Sequence, residues 1–424
     1  MSKLFTITLA ATLLHLPVQA QATHYVPDHF ATIQEALDAA LNGDSVFVRP
    51  GTYPENLDFL GKTVNLVSTD GPTQTTISGS TQNTIVLLDG CALGTRVEGF
   101  TLTGGSGRPF PSSYGFDYYG GAVWAGGGTV ATIAECLILR NGVGIATFAG
   151  GIFAGGNGTE VTVEHCVIAG NEAWACGGGT LADWEAKITL QRCTISGNAS
   201  TSFFGHQGGV AGANGGDTWV QDSIVWGNSG SQIEAFGSPY NAGVDFFVDY
   251  SDVQGGYAGI GNLNLDPMFT DPGTDNFVLL PGSPCIDAGN PNSPADPDGS
   301  RADMGAYPFP AIGEPDLTIP PLIRGQFVTL VVDGVLENST TAFCYSTVGA
   351  GTFTHPIHGF TMGLATPITL LGTATATSAG SVGYSATVPT SLPIGLSIWF
   401  QAVESMGRPP VSFRVSDVEV GVVQ

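Results

Sequence analysis

Two acids, one histidine and a set of aromatic rings are the residues of this chain with most to offer chemistry. Asp117 and Glu172 each fall between a strand-like segment and a glycine pair. Two carboxylates held about 5–10 Å apart can cleave a glycosidic bond, one as acid and the other as base or nucleophile. Placed in separate loops, the same side chains are ordinary solvated acids. His206, within Gly205-His206-Gln207-Gly208, titrates near neutrality, although a lone imidazole is more often a hydrogen-bonded bystander. Tyr118, Tyr119, Phe148, Trp174, Phe203 and Phe204 recur in the same stretch of successive segments. A column of rings with a polar fringe is a platform for glycans. Alternatively the rings pack beneath turns as an apolar cluster, because an exposed row of this size invites association. Asp296 and Asp298 put two carboxylates into one turn, which suits calcium unless Arg301 neutralises them. No other cofactor is expected.

These side chains hang on a repeat. Cys136-Leu-Ile138-Leu-Arg-Asn141, Cys166-Val-Ile168-Ala-Gly-Asn171 and Cys193-Thr-Ile195-Ser-Gly-Asn198 are followed by Ser223-Ile-Val225-Trp-Gly-Asn228, with fainter copies at Gly99–Gly104 and Ser251–Val253. Each strong copy is preceded by a glycine pair: Gly120-Gly121, Gly150-Gly151, Gly178-Gly179 and Gly208-Gly209. The period of 27 to 30 residues, in pieces such as Val161-Thr-Val163-Glu that alternate at period two, predicts a solenoid of strands with one buried face. Residues 44–305 should make about nine or ten parallel coils. Asn141, Asn171, Asn198 and Asn228 should then stack as an amide ladder. Cys136, Cys166 and Cys193 should stack inward as small apolar thiols. At the front, Thr32-Ile-Gln-Glu35 reads as a capping box opening a helix with Ile33, Ala36, Leu37, Ala40 and Leu41 on one face, which would cover the open end of the coils.

Composition narrows the partners. With 12 basic residues against 36 acidic ones the formal charge is −24, which disfavours nucleic acid and anionic membranes. Charged residues make up only 11% and hydrophobic ones 42%, too apolar for a disordered chain. Residues 1–20 read as a signal peptide, with Lys3 before the short apolar run Leu4–Leu14 and Val18-Gln-Ala20 at the cleavage position. No later run is long enough for a transmembrane segment. The expected organisation is a cap over residues 21–43, a solenoid over 44–310, a linker at 311–315 and a β-sandwich over 316–424, where Phe327–Val332, Ala342–Tyr345, Ser397–Gln401 and Val411–Val415 alternate like short strands. Seven cysteines, an odd number, leave at least one outside an intrachain pair.

Thr32-Ile-Gln-Glu-Ala, Gly43-Asp-Ser-Val-Phe-Val and Pro50-Gly-Thr-Tyr-Pro-Glu-Asn56 resemble the opening of secreted right-handed parallel β-helix proteins of the pectin-lyase-like type. Asp266-Pro-Met-Phe269, Ser283–Gly289 and Asp296–Tyr307 resemble their closing segment. The glycine pairs and Ile-x-x-Asn marks are similar to the repeats of polymorphic outer-membrane adhesins, with Ile or Val where those carry Phe. The resemblance implies an all-β, right-handed parallel β-helix. It implies no one activity. Polygalacturonase-like sites combine Asn-Thr-Asp, paired Asp, Gly-His-Gly and Arg-x-Lys, of which only the partial match at His206 is present. Pectate lyases use a basic proton acceptor beside calcium-holding acids, and no basic residue clusters with acids in the repeats. The sequence therefore points first to an exported, non-catalytic protein that binds extracellular polysaccharide or cell-surface glycan, and second to a polysaccharide lyase or glycoside hydrolase.

Overall fold

A computed structural model describes residues 21–79, 83–113, 115–143, 147–201, 208–236, 240, 242–297, 299–309, 316–335, 339–354, 361–376, 381–406, 412–416 and 418–424. Residues 23–253 wind as a parallel β-helix. Each coil contributes a strand to sheet A, then to sheet B, then to sheet C, as in Val130–Ala134, Leu137–Leu139 and Ile152–Gly155. The three sheets hold nine, eight and seven strands, every neighbour parallel and one coil apart. Seven complete coils are therefore present among the described residues, set by the seven strands of sheet C. That is fewer than the repeat suggested, because the chain stops coiling after Val253 and doubles back along sheet B as a strap.

Inside, alternate residues of the strands fill one core. Val97, Ile133, Val163 and Leu190 come from sheet A, Leu102, Ile138, Ile168 and Ile195 from sheet B, and Val86, Val123 and Ile152 from sheet C. Burying each is worth about 1.5–3 kcal/mol. The helix Ile33–Ala39 closes the first coil. Thr32 and Glu35 form the capping box, and Ile33, Ala36 and Leu37 are buried. The helix ends at Ala40, so Leu41 is exposed rather than part of the stripe.

The corners explain the repeat. Between sheets B and C the chain turns at a left-handed residue, glycine in Gly170, Gly197 and Gly227, followed by the asparagine. Asn141 Nδ2 donates to Asn171 Oδ1 at 3.0 Å, Asn171 to Asn198 at 2.9 Å and Asn198 to Asn228 at 2.9 Å. Four residues on in the same coil, Gln232 ends the ladder, accepting from Asn228 Nδ2 at 2.8 Å. The glycine pairs answer to crowding between coils. A Cβ on Gly121 would lie 2.0 Å from the carbonyl oxygen of Gly150, and one on Gly151 2.4 Å from that of Gly179.

Between sheets A and B the corner is again a single left-handed residue, here Glu135, His165, Arg192, Asp222 and Tyr250. The next residue points inward and forms a second ladder. Cys136 N–H donates to Cys166 Sγ at 3.3 Å, Cys193 N–H to Ser223 Oγ at 3.0 Å and Ser223 N–H to Ser251 Oγ at 3.2 Å. The thiols are free and buried, and burial pushes that of Cys193 up to about 12. They are more than apolar filler, since Cys and Ser serve one hydrogen-bonding place.

After Val253 the strap lays Phe277, Ala306 and Tyr307 against Leu139, Val167 and Ala169 on the outer face of sheet B. Residues from Asp316 onward form antiparallel sheets instead. Strands Asp316–Thr318, Phe327–Asp333 and Ser381–Thr387 make one, and Thr340–Ser346, Thr369–Thr375, Ser397–Met406, Ser412–Val415 and Glu419–Val422 the other. Leu330, Val332 and Val382 pack between them against Phe343, Ile398 and Phe400, giving a β-sandwich.

The Cys/Ser ladder makes a discriminating prediction. Cys166→Ser should change stability by less than about 1 kcal/mol, because Oγ can take the N–H of Cys136. Cys166→Val keeps the site filled but removes the acceptor, and should cost about 1–3 kcal/mol in urea denaturation. Equal losses would show that the column only fills space.

Candidate functional site

The outer face of sheet C carries an aromatic floor. Leu87, Trp124, Phe153, Leu181 and Ala211 lie in register on five successive strands. Trp124 and Phe153 are buried although they point away from the coil interior, in a cluster with Phe110, Tyr119 and Phe148. Their rings lie over the glycines two residues on. A Cβ at Gly126 would fall 2.2 Å from the Trp124 ring, and one at Gly155 2.6 Å from the Phe153 ring.

The insertion after the second glycine of Gly104-Gly105 builds the wall. Strands Arg108–Ser112 and Gly115–Tyr119 pair antiparallel, and the second also pairs with Thr147–Phe148. Phe110 packs on Trp124 at 5.9 Å and Tyr119 on Phe153 at 5.0 Å. The Arg108 guanidinium lies 4.1 Å from the Trp124 ring centroid and pairs with Asp89 at 3.1 Å. Beneath this cover the Trp124 indole N–H is buried with no hydrogen-bond partner among the described residues. Such an unmet donor costs about 1–3 kcal/mol.

At the downstream edge lie Asp183, Trp184 and Asn214. The preceding coils carry Gly126-Gly127 and Gly155-Gly156 in the places of Asp183-Trp184. Gly127 and Gly156 have φ of 62° and 94°, so the corner demands the left-handed region. Trp184 adopts it at φ 52° with an indole 45% exposed, which is unfavourable for a large side chain. The indole sits 5.8 Å from both Tyr119 and Phe153. Asp183 is buried, its Oδ1 accepting from Asn214 Nδ2 at 2.7 Å and from Trp184 N–H at 2.8 Å. Burial raises its carboxyl above the ordinary 3.8, against the lowering effect of those two bonds. Burial likewise raises the Tyr119 phenol, with Asp117 and Asp183 adding to the shift.

Tyr119 and Phe148 stack on each other at 4.9 Å and join the apolar cluster. Tyr118 is half-buried, and Trp174 is 48% exposed. Asp117 sits on the hairpin and Glu172 on the short strand Glu172–Ala173, so the two acids belong to separate elements. Phe203, Phe204, His206 and Asp298 lie outside the described residues. Asp296 is buried and engaged: Oδ1 accepts from Arg192 at 3.2 Å and Oδ2 from Asp303 N–H at 2.8 Å. Arg301, the neutralising partner suggested by sequence, instead donates to the carbonyl of Gly289 at 2.5 Å. Among the described residues no group of three or more His, Cys, Asp or Glu side chains is arranged to hold a metal. Sequence reading missed Asp183 and Trp184. The signal was available: Ala182-Asp-Trp-Glu185 breaks the Ala-Gly-Gly pattern of Ala125–Gly127 and Ala154–Gly156.

The Asp183 shift has a pH consequence. A carboxyl whose pKa is raised by folding favours the folded state while protonated, and that contribution is lost as pH climbs through its folded value. Asn at 183 can keep both hydrogen bonds through Oδ1 without the charge. Asp183→Asn should therefore raise the melting temperature at pH 7, and the gain should vanish below the ordinary carboxyl value of 3.8. A variant less stable at pH 7 than at pH 3 relative to the parent would contradict this.

Comparison with known proteins assigns no family: no protein-family model matches the chain, and no curated protein matches it.

Proposed function

We propose that the chain is an exported extracellular or cell-surface protein that binds glycan on the outer face of sheet C, and that its relatives are β-helix proteins of the pectin-lyase-like kind. One observation carries the reading. Trp184 stands where the two preceding coils use glycine and the following coil asparagine, in a backbone conformation that penalises it, with its indole at the rim of an aromatic floor. A fold that needs only a turn there has glycine available, so the ring is accounted for by something it touches. The adjoining half-buried Asn214, braced by buried Asp183, supplies a polar group for sugar hydroxyls, and exposed Trp174 offers a further stacking face. No described helix is long and apolar enough to cross a membrane. Acidic charge over the whole chain favours neutral or basic glycans over polyanions.

A second reading is cleavage of the bound polysaccharide. It rests on Asp183, whose burial favours the protonated carboxyl that a general acid requires.

A panel of polysaccharides, scored for retention and for released reducing ends, tests both. Trp184→Gly restores the residue of the two preceding coils. It should weaken retention about fivefold, near 1 kcal/mol for one stacked ring, and leave the melting temperature within a few degrees. Undiminished retention would retire the platform. Reducing ends that disappear in Asp183→Asn would select the enzyme.

A further inference from the structure

A second cavity, of about 480 Å³, lies away from sheet C, between the A–B corners and the returning strap. One wall is the corner column of Glu135, His165 and Arg192, one residue from each of three consecutive coils, all left-handed at φ 50–52°. Their backbone N–H groups each donate to the next coil, at 3.0, 3.1 and 3.0 Å, which fixes the side chains in a column. Facing them are Ala295, Pro297, Tyr307 and Pro308 of the strap, with Pro72 and Leu137 completing the walls.

The polar groups divide by sign. Arg192, the cation of the lining, is already engaged, by Asp296 at 3.2 Å and by the Pro294 carbonyl. Glu135 is exposed, and its carboxylate has no partner among the described residues. His165 is half-buried, with no hydrogen-bond partner among the described residues. Burial, and then Arg192, hold its pKa below the ordinary 6.5, so at neutral pH the imidazole is uncharged and presents one bare acceptor nitrogen. Burial keeps the Tyr307 phenol protonated. The carboxylate only accepts, the neutral imidazole pairs one acceptor nitrogen with one N–H, and the phenol adds an O–H, while proline, leucine and alanine line the rest. Glu164, Glu135 and Asp296 also act on His165 through their charge, opposing Arg192.

We propose that this pocket binds a primary ammonium group carried on a short apolar stem, with Glu135 and His165 as acceptors and the proline walls holding the stem. The ammonium brings three donors, which match the Glu135 carboxylate, the acceptor nitrogen of His165 and the Tyr307 phenol oxygen, Arg192 being already occupied by Asp296. The site is independent of the aromatic floor.

Three isosteric probes separate charge from shape: n-butylamine, n-butanol and butyrate, titrated at pH 7 into the full chain and followed by calorimetry and by the His165 imidazole resonances. The amine should saturate in the millimolar range and shift those resonances, the alcohol should bind more weakly and butyrate should not bind. Glu135→Gln, at an exposed position, should weaken the amine about tenfold, the scale of a hydrogen bond to a charged group. His165→Gln should weaken it less, and Trp184→Gly should leave it unchanged. Equal binding of the three probes, preference for butyrate, no saturation by the amine, or an amine affinity indifferent to Glu135→Gln would each overturn the proposal.

Discussion

The side chain of Asn171 is the joint on which the rest depends. Its Oδ1 accepts from both N–H and Nδ2 of Asn141, and its Nδ2 reaches Asn198 at 2.9 Å and the Ile138 carbonyl at 2.9 Å. Four bonds inside the buried core leave no polar atom of the amide unmet. A slip of one residue in any coil would strand buried donors along the whole ladder, each at a cost of about 1–3 kcal/mol. Register is thereby locked at one edge by amides and at another by the Cys/Ser column. Every outward side chain then occupies a defined height and face.

That locking is what allows function to sit in departures from the repeat. Sheet B is covered by the strap, and part of sheet C by the hairpin between Gly105 and Gly120. Where the coils deviate, they do so at surfaces: an inserted hairpin over Trp124, an Asp-Trp pair in place of two glycines, and charged residues in a left-handed corner where an earlier coil has Gly99. Each deviation costs local strain or an unmet donor, which the ladders on either side can absorb.

Much of this was legible in sequence because the solenoid writes its constraints once per coil. The asparagines, the glycine pairs, the capping box at Thr32 and the strands of the C-terminal sandwich are all local signals. The coil count was not legible. Residues 266–309 carry strand-like and turn-like pieces, and only long-range contacts such as Ala306 N–H to Thr194 Oγ1 at 3.0 Å show that they run back over sheet B. The site was legible in part. Repetition drew attention to Tyr119 and Phe148, which pack together, whereas Trp184 and Asp183 are singular. A periodic reading passes over residues whose meaning is that they break the period.

The most direct test of the account is a footprint. The chain is saturated with an oligosaccharide of the polysaccharide it retains, and indole oxidation is read at each tryptophan. The account predicts protection of Trp184, with Trp174 following, while Trp219 on the outer face of sheet A oxidises as in the free protein. Protection of Trp219 with Trp184 still reactive would place the glycan on another face and contradict the account.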